Sequence, residues 1–136
     1  MKRKQSESRR KPTRIYSELA VDGQTFWTLL DSGARGTYVT RDVGELLGMR
    51  RFSKPVTRGL GGQVLEILHY CTLGGKIEGY DIATMAFVVE RLFPDEKGRA
   101  VEIILGMEAL ETWGIWLDTV KKRPDFTHYA AESWEG

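Results

Sequence analysis

Apolar and polar residues alternate along much of the chain, which is the pattern of strands with one buried face. The first two candidate strands, residues 15–21 and 25–30, flank Asp22-Gly23, a dipeptide typical of a tight hairpin turn. A long pair of strands, 64–73 and 78–89, is expected to turn at Gly74-Gly75. Three shorter candidate strands are residues 38–40, 100–105 and 115–119, and the last two are expected to complete the sheet.

Two short segments carry a helical period instead. Each has its apolar residues on one face and ends at a glycine, Gly48 in the first segment and Gly114 in the second. The apolar positions are Val43, Leu46 and Leu47 in the first and Met107, Leu110 and Trp113 in the second. The sequence therefore predicts a mainly β domain with one or two short helices.

The run Leu29-Leu30-Asp31-Ser32-Gly33-Ala34 brings an acidic residue to the end of an apolar strand. An Asp in this position can lie on the floor of a cleft, with the hydroxyl of Ser32 near its carboxylate and Gly33 leaving space for close packing. A plain strand-ending turn has the same composition. A Ser nucleophile is less well supported, because Leu30 replaces the first Gly of a Gly-x-Ser-x-Gly elbow.

A glycine-rich segment, Gly59-Leu60-Gly61-Gly62, lies between β-prone residues. Three glycines in four positions favour a tight, mobile hairpin tip. The segment lacks the Gly-Lys-(Ser/Thr) ending of a P-loop and the Gly-x-Gly-x-x-Gly spacing of a dinucleotide fold. A hairpin in solvent and a flap that closes over an extended peptide both remain open.

A third motif, Ile103-Ile104-Leu105-Gly106, is an apolar strand that runs into a glycine and then into the second predicted helix. The order Asp-Ser-Gly-Ala, glycine-rich hairpin, then Ile-Leu-Gly and helix resembles the retropepsin family. These are the single-lobed aspartic proteases of retroviruses, retrotransposons and their cellular and bacterial relatives. The resemblance covers residues 14–120, and residues 38–49 are similar to the retrotransposon-like branch. It implies a single-lobed acid-protease β-barrel that functions as a homodimer.

The resemblance also assigns roles. It implies that Asp31 is catalytic, and that two copies of it, one from each chain, share a proton and activate a water that hydrolyses a peptide or protein substrate. A second copy is needed because the other Asp-Thr pair, Asp118-Thr119, is followed by Val120 rather than Gly. The alternative is a catalytically silent retropepsin-like module for dimerisation or peptide binding. The resemblance also implies three groups of residues that support Asp31. They are the active-site turn (Ser32, Gly33 and Ala34), the flap that binds substrate (Gly59, Leu60, Gly61 and Gly62), and the strand that leads into the second helix (Ile104, Leu105 and Gly106).

The sequence departs from the family in one ion-pair cluster. Many viral members have an acidic residue after the Asp-(Ser/Thr)-Gly-Ala turn, paired with an Arg near the first strand and another after the Ile-Leu-Gly strand. Here Arg35 and Met107 occupy the first and last of these positions, while Arg14 stands where the N-terminal Arg is expected. The usual cluster cannot form, which affects dimer locking and contacts to the substrate backbone.

Charge distinguishes the ends of the chain from its middle. Residues 1–14 carry a net charge of +6 against +1 for the whole chain, which leaves −5 on residues 15–136. A basic disordered arm is predicted over residues 1–13, and a polar C-terminal extension over 121–136. The arm could contact nucleic acid, but a solvated tail is the preferred interpretation because no aromatic residue separates its charges. The acidic remainder disfavours a nucleic-acid-binding core.

Other features exclude several classes of protein. A single cysteine, Cys71, cannot form an intrachain disulfide, which favours a cytoplasmic or otherwise intracellular location. No stretch has the apolar length of a membrane span. No Cys/His cluster has metal-ligand spacing, so neither a metal nor another cofactor is expected.

Overall fold

Seven strands form the main sheet of the structure, a computed structural model that describes residues 14–130. The strands run in the order β1-β2-β7-β3-β6-β5-β4, and β1 also pairs with β5, so that the sheet closes on itself. Helix α1 follows β3, and helix α2 follows β7. The predicted mainly β fold with two short helices is confirmed. The elements are β1 Ile15–Val21, β2 Gln24–Leu30, β3 Thr37–Thr40, α1 Arg41–Leu47, β4 Arg50–Leu60, β5 Gln63–Ile77, β6 Tyr80–Val89, β7 Ile103–Leu105, α2 Met107–Trp113, β8 Trp116–Asp118 and β9 Arg123–Asp125.

The first hairpin follows directly from its sequence. Leu19 pairs with Phe26 across β1 and β2, and the turn between the strands has positive φ angles at Asp22 and Gly23. Alternate residues of β1 point into the main core. Fully buried members of this core come from β1, β3, β5 and β7 and include Leu19, Val39, Leu73, Ile77, Ile103 and Leu105.

A second, smaller apolar cluster lies beneath the β4–β5 hairpin. It is built on Ala34, Tyr38, Ile67, Phe87 and Ile104, all of them buried. Half-buried side chains from the hairpin pack against this cluster, namely Val56, Leu60 and Leu65. The base of the hairpin is therefore held by burial of apolar surface, next to the residue that follows the Asp-Ser-Gly turn.

The predicted turn at Gly74-Gly75 is wrong. Strand β5 continues through both glycines to Ile77, and the chain turns at Glu78-Gly79, where both φ angles are positive. Gly75 is needed for a different reason, because β1 crosses β5 there. A Cβ atom at Gly75 would lie 2.4 Å from the carbonyl oxygen of Ala20.

The end of the chain also differs from the prediction. Residues 100–105 contain a strand of only three residues, and the strand predicted at 115–119 does not complete the main sheet. Instead β8 pairs with β9 as a separate two-stranded sheet. After β9, Phe126 packs against the main core, and the hydroxyl of Tyr129 donates to the carbonyl oxygen of Asp81. The predicted arm 1–13 and residues 131–136 lie outside the described residues, and the domain boundaries stay a prediction.

Two matched substitutions test the close approach of β1 to β5 at Gly75. We expect Gly75→Ala to lower the free energy of unfolding by about 1–3 kcal/mol, because the new methyl group must displace the backbone of β1. Gly74→Ala should change it by less than about 0.5 kcal/mol, since nothing lies within 4 Å of a Cβ atom there. Urea unfolding of the two variants measures the difference. Equal effects would contradict the crossing at Gly75.

Candidate active site

Asp31 lies immediately after β2, at the start of a turn that its own side chain helps to hold. Its Oδ1 atom accepts a hydrogen bond of 2.8 Å from the backbone N–H of Gly33. Its backbone N–H donates to the carbonyl oxygen of Leu105 on the neighbouring strand at 2.9 Å. Asp31 is half-buried, whereas Ser32 and Gly33 are exposed. The carboxylate is thus fixed by one backbone donor and keeps a side open to solvent.

The start of α2 is bonded to the same turn. The N–H groups of Met107 and Glu108 donate to the carbonyl oxygens of Ala34 and Arg35, at 2.7 and 3.0 Å. The first N–H groups of a helix have no partner within it, so the turn supplies the acceptors that they need. The N–H of Gly106 donates to the buried hydroxyl of Thr37 at 3.1 Å.

Gly106 permits this close packing of strand, turn and helix. A Cβ atom at Gly106 would lie 2.0 Å from the carbonyl oxygen of Gly36 and 2.8 Å from that of Ala34. No side chain other than hydrogen fits in that space. The structure therefore brings the predicted supporting residues Ile104, Leu105 and Gly106 against the turn, although their functional role stays a prediction.

A cleft of about 1110 Å³ opens at Asp31. Of the predicted residues, those that line it are Asp31, Ser32, Gly33, Leu60, Gly61 and Ile104. Ala34, Leu105 and Gly106 are buried behind the turn, and Gly59 and Gly62 belong to the hairpin without lining the cleft. Lining residues that sequence reasoning missed include Ile15, Phe93, Trp116 and Leu117. The last two come from a segment that pattern analysis placed in the main sheet.

The glycine-rich segment predicted as a flap forms the end of the β4–β5 hairpin, and its role as a flap stays a prediction. Leu60 pairs with Gln63, and the two residues between them, Gly61 and Gly62, have φ angles of +59° and +81°. These angles suit the tight two-residue turn that glycine adopts without strain. The ring of Phe93 lies against the tip, with Cε2 3.1 Å from the position that a Cβ of Gly61 would take. Phe93 stands in residues 91–99, where Pro94 and the charged residues that follow it predict only an exposed loop.

Asp95 organises this loop. Its carboxylate accepts hydrogen bonds from the indole N–H of Trp27 and from the backbone N–H groups of Lys97 and Arg99, at 2.8–2.9 Å. The guanidinium of Arg99 stacks 4.0 Å over the Trp27 ring and pairs with Glu18 at 2.7 Å. Partial desolvation alone would raise the pKa of Asp95. The hydrogen bonds from Arg99, Trp27 and Lys97 outweigh it and hold the pKa below its usual value.

Two arginines at the positions of the altered ion-pair cluster have acidic partners. Arg35 approaches Glu108 at 4.0 Å, and Arg14 approaches Glu96 at 3.6 Å. The polarity beside the turn is therefore reversed: the residue that follows Ala34 is cationic, and the acid comes from α2. All four side chains are at least half exposed, so each pair contributes little to stability.

The structure also shows the surroundings of the single cysteine and of the side chains of the types that bind metals. Cys71 is buried, and burial raises the pKa of its thiol; the intracellular location inferred from it stays a prediction. Within residues 14–130, no group of three or more His, Cys, Asp or Glu side chains could hold a metal ion. No helix in this part of the chain is long and apolar enough to cross a membrane.

Known proteins resemble this chain in sequence and in fold. Residues 17–109 match the sequence profile of the aspartyl protease family. The chain is 23% identical over 107 residues to DNA damage-inducible protein 1 of Neurospora crassa, a match that covers 79% of this chain and 24% of that protein. The chain thus spans about a quarter of the length of this curated relative.

Among solved structures, the retroviral protease-like domain of Ddi1 from Leishmania major superposes with a TM-score of 0.59 at 21% identity. The superposition covers 79% of this chain and 83% of that domain, and it shows a shared fold. The family match extends over more than half of the chain and includes the Asp31 turn, the β4–β5 hairpin and the strand before Gly106. The chain therefore belongs to the retropepsin-like aspartyl protease family.

Proposed function

We propose that this chain is an aspartic endopeptidase, with one Asp31 from each chain of a homodimer acting on a bound water. The observation that carries the proposal is the setting of Asp31. Its carboxylate is held by the Gly33 N–H at the edge of a cleft of about 1110 Å³, which the tip of a glycine hairpin also lines. A cleft of this size accommodates several residues of an extended peptide.

The chemistry requires the two carboxylates to differ. Two carboxylates a few ångströms apart cannot both ionise cheaply, so the pair holds a single proton and titrates as a unit. The ionised Asp31 takes a proton from water, whose oxygen attacks the scissile carbonyl carbon, while the protonated Asp31 donates to the carbonyl oxygen. Collapse of the tetrahedral intermediate then breaks the C–N bond. The leaving nitrogen takes the proton that the first Asp31 had accepted from water, and the second Asp31 recovers a proton from a hydroxyl of the intermediate. Ser32 and Gly33 position the carboxylate and leave space for substrate.

The exposed apolar surface near the cleft supports a second chain. Trp116 is 59% exposed and Leu117 is half-buried, and both line the cleft together with Ile15. Val120, at the turn of the β8–β9 hairpin, is 89% exposed. Large apolar side chains clustered on one surface are typical of an interface. A partner that covers this surface would also supply the second Asp31.

The hairpin tip has the contacts expected of a flap. Leu60 packs on the cluster that contains Ala34, and Gly61 touches Phe93. Phe93 is carried by the loop that Asp95 holds to Trp27. The Asp95 loop therefore positions one wall of the cleft against the flap, and the flap closes over a peptide against that wall.

Removal of the base tests the proposal directly. We expect Asp31→Asn to abolish peptide hydrolysis while the protein remains folded, because the amide is nearly isosteric but cannot accept the proton of water. Asp42→Asn, an exposed acid on α1, is the matched control and should cleave at the wild-type rate. Hydrolysis is measured on a peptide library from about pH 3 to pH 7, a range that brackets protonation of the dyad. Wild-type cleavage by purified Asp31→Asn protein would disprove the assignment.

The proposed homodimer is tested by dilution and by mixing wild-type and variant chains. Activity per chain should fall on dilution through the concentration range in which sedimentation shows the dimer dissociating. Adding excess Asp31→Asn protein to wild type should suppress activity, because each mixed dimer lacks one carboxylate of the pair. An active species that sediments as a monomer at every concentration would rule out a shared site. Peptide binding without cleavage at any pH would instead support a silent binding module.

The stability of the folded protein should also depend on pH in the acidic range, because Asp95 titrates there. Because its pKa is lowered in the folded protein, its stabilising contribution is present above about pH 4 and is lost as pH falls through the folded pKa. We expect the wild type to melt higher than Asp95→Asn near pH 6, with the gap closing between about pH 4 and pH 2. Thermal unfolding at a series of pH values measures the gap. A gap that is constant down to pH 2 would show that Asp95 is not the titrating group.

A further inference from the structure

A second, smaller pocket of about 260 Å³ lies beyond the catalytic turn. The Asp31 turn with the two residues after it, and strand β4 of the flap hairpin, both contribute to this pocket and to the cleft. The turn supplies Asp31 and Ser32 to the cleft and Arg35 and Gly36 to the pocket. Strand β4 supplies Leu60 to the cleft and, two residues earlier, Arg58 to the pocket.

The spacing on β4 relates the pocket to a bound peptide. Side chains two residues apart on a strand point to the same face, so Arg58 and Leu60 project to the same side of the flap. Their Cα atoms are separated by about 6.6 Å along the strand, which is also the repeat of two residues in an extended peptide. A peptide that follows the flap would therefore bring a side chain to Arg58 about two residues beyond the one at the flap tip.

The Arg58 side chain bridges the flap strand and the turn. Its guanidinium carbon lies 4.7 Å from the centroid of the buried Phe87 ring, an arrangement that holds the planar group in one orientation. One of its terminal nitrogens lies 3.3 Å from the position that a Cβ of Gly36 would occupy. Within residues 14–130, no carboxylate lies within 4.0 Å of this guanidinium. Arg58 is thus a cation that lies over the Phe87 ring and has no carboxylate partner within residues 14–130.

The remaining charges in the pocket are Arg35 and Glu108. They approach each other at 4.0 Å, and their side chains are 79% and 65% exposed. A pair with this separation and exposure is weak and exchanges readily with another partner. Two guanidinium groups against one carboxylate leave the pocket with a net positive charge.

We propose that this pocket is an acid-selecting subsite that binds an Asp or Glu side chain of the substrate, two to four residues from the scissile bond. The substrate carboxylate bonds to the Arg58 guanidinium and competes with Glu108 for Arg35. The substrates would then be acidic peptide segments. The inference rests on the proposed protease function, because it assigns a specificity to that same substrate path.

The test compares peptides that differ by one charge. A cleaved peptide is prepared with Glu or Gln at each of four positions on either side of the scissile bond, and kcat/KM is measured for each pair at pH 6. We expect a Glu preference of about 3- to 10-fold at one of the distal positions, declining as NaCl is raised. Wild-type protein that cleaves but does not distinguish Glu from Gln at any position would overturn the subsite and leave the protease assignment intact.

Four variants test which residues cause the preference for Glu over Gln. Arg58→Gln should bring the Glu/Gln ratio close to one, whereas Arg58→Lys should retain part of it. Glu108→Gln should raise the ratio because the competing carboxylate is removed. Arg50→Gln, which removes a charge from the same strand outside the pocket, is the matched control and should leave the ratio unchanged. Equal losses in Arg58→Gln and Arg50→Gln would indicate general attraction by net charge and would overturn the proposal.

A binding measurement keeps the two hypotheses separable. Fluorescence anisotropy of the labelled Glu and Gln peptides on Asp31→Asn protein needs no catalysis. Tighter binding of the Glu peptide, reduced by Arg58→Gln, would support the subsite even if the wild type failed to cleave. Equal binding of the two peptides would refute it.

Discussion

The space at Gly106 is the constraint on which the candidate site depends. With no side chain there, strand β7 runs directly beneath the turn, and the carbonyl oxygens of Ala34 and Arg35 reach the first free N–H groups of α2. The turn and the helix thus satisfy each other's backbone groups. The position of Asp31 is set by this mutual bonding together with its own bond to Gly33.

The two elements beside this turn, the β4–β5 hairpin and the Asp95 loop, are held in different ways. The β4–β5 hairpin is a two-stranded extension whose base is held by apolar packing and whose tip lies against the ring of Phe93. The Asp95 loop is held instead by hydrogen bonds and by the Trp27–Arg99 stack. Under the proposed function, a carboxylate held by backbone hydrogen bonds would keep the reacting groups aligned, and a flap held by side-chain packing would open while the peptide enters and leaves.

Features coded by neighbouring residues were predictable from the sequence. The hairpin at Asp22-Gly23, the glycine-rich hairpin tip and the two helices follow from local turn and period signals, and the order of three motifs identified the family. The role of Gly75 was not predictable, because a glycine that allows two strands to cross has the same local pattern as a glycine in a turn. Phe93 and Asp95 were missed for a similar reason: their partners Gly61 and Trp27 are more than thirty residues away.

The pairing of strands in this barrel has a consequence for when the candidate site is complete. Strand β2 lies beside β7, and the backbone bond from Asp31 to Leu105 joins residues 74 positions apart. Contacts between such distant segments form late, because much of the chain must be ordered before they close. A nascent chain that has not yet produced residues 105–108 lacks the second half of the turn's support. The candidate site is therefore complete only when nearly the whole domain has been synthesised, and under the proposed function the unfinished polypeptide would lack hydrolytic activity.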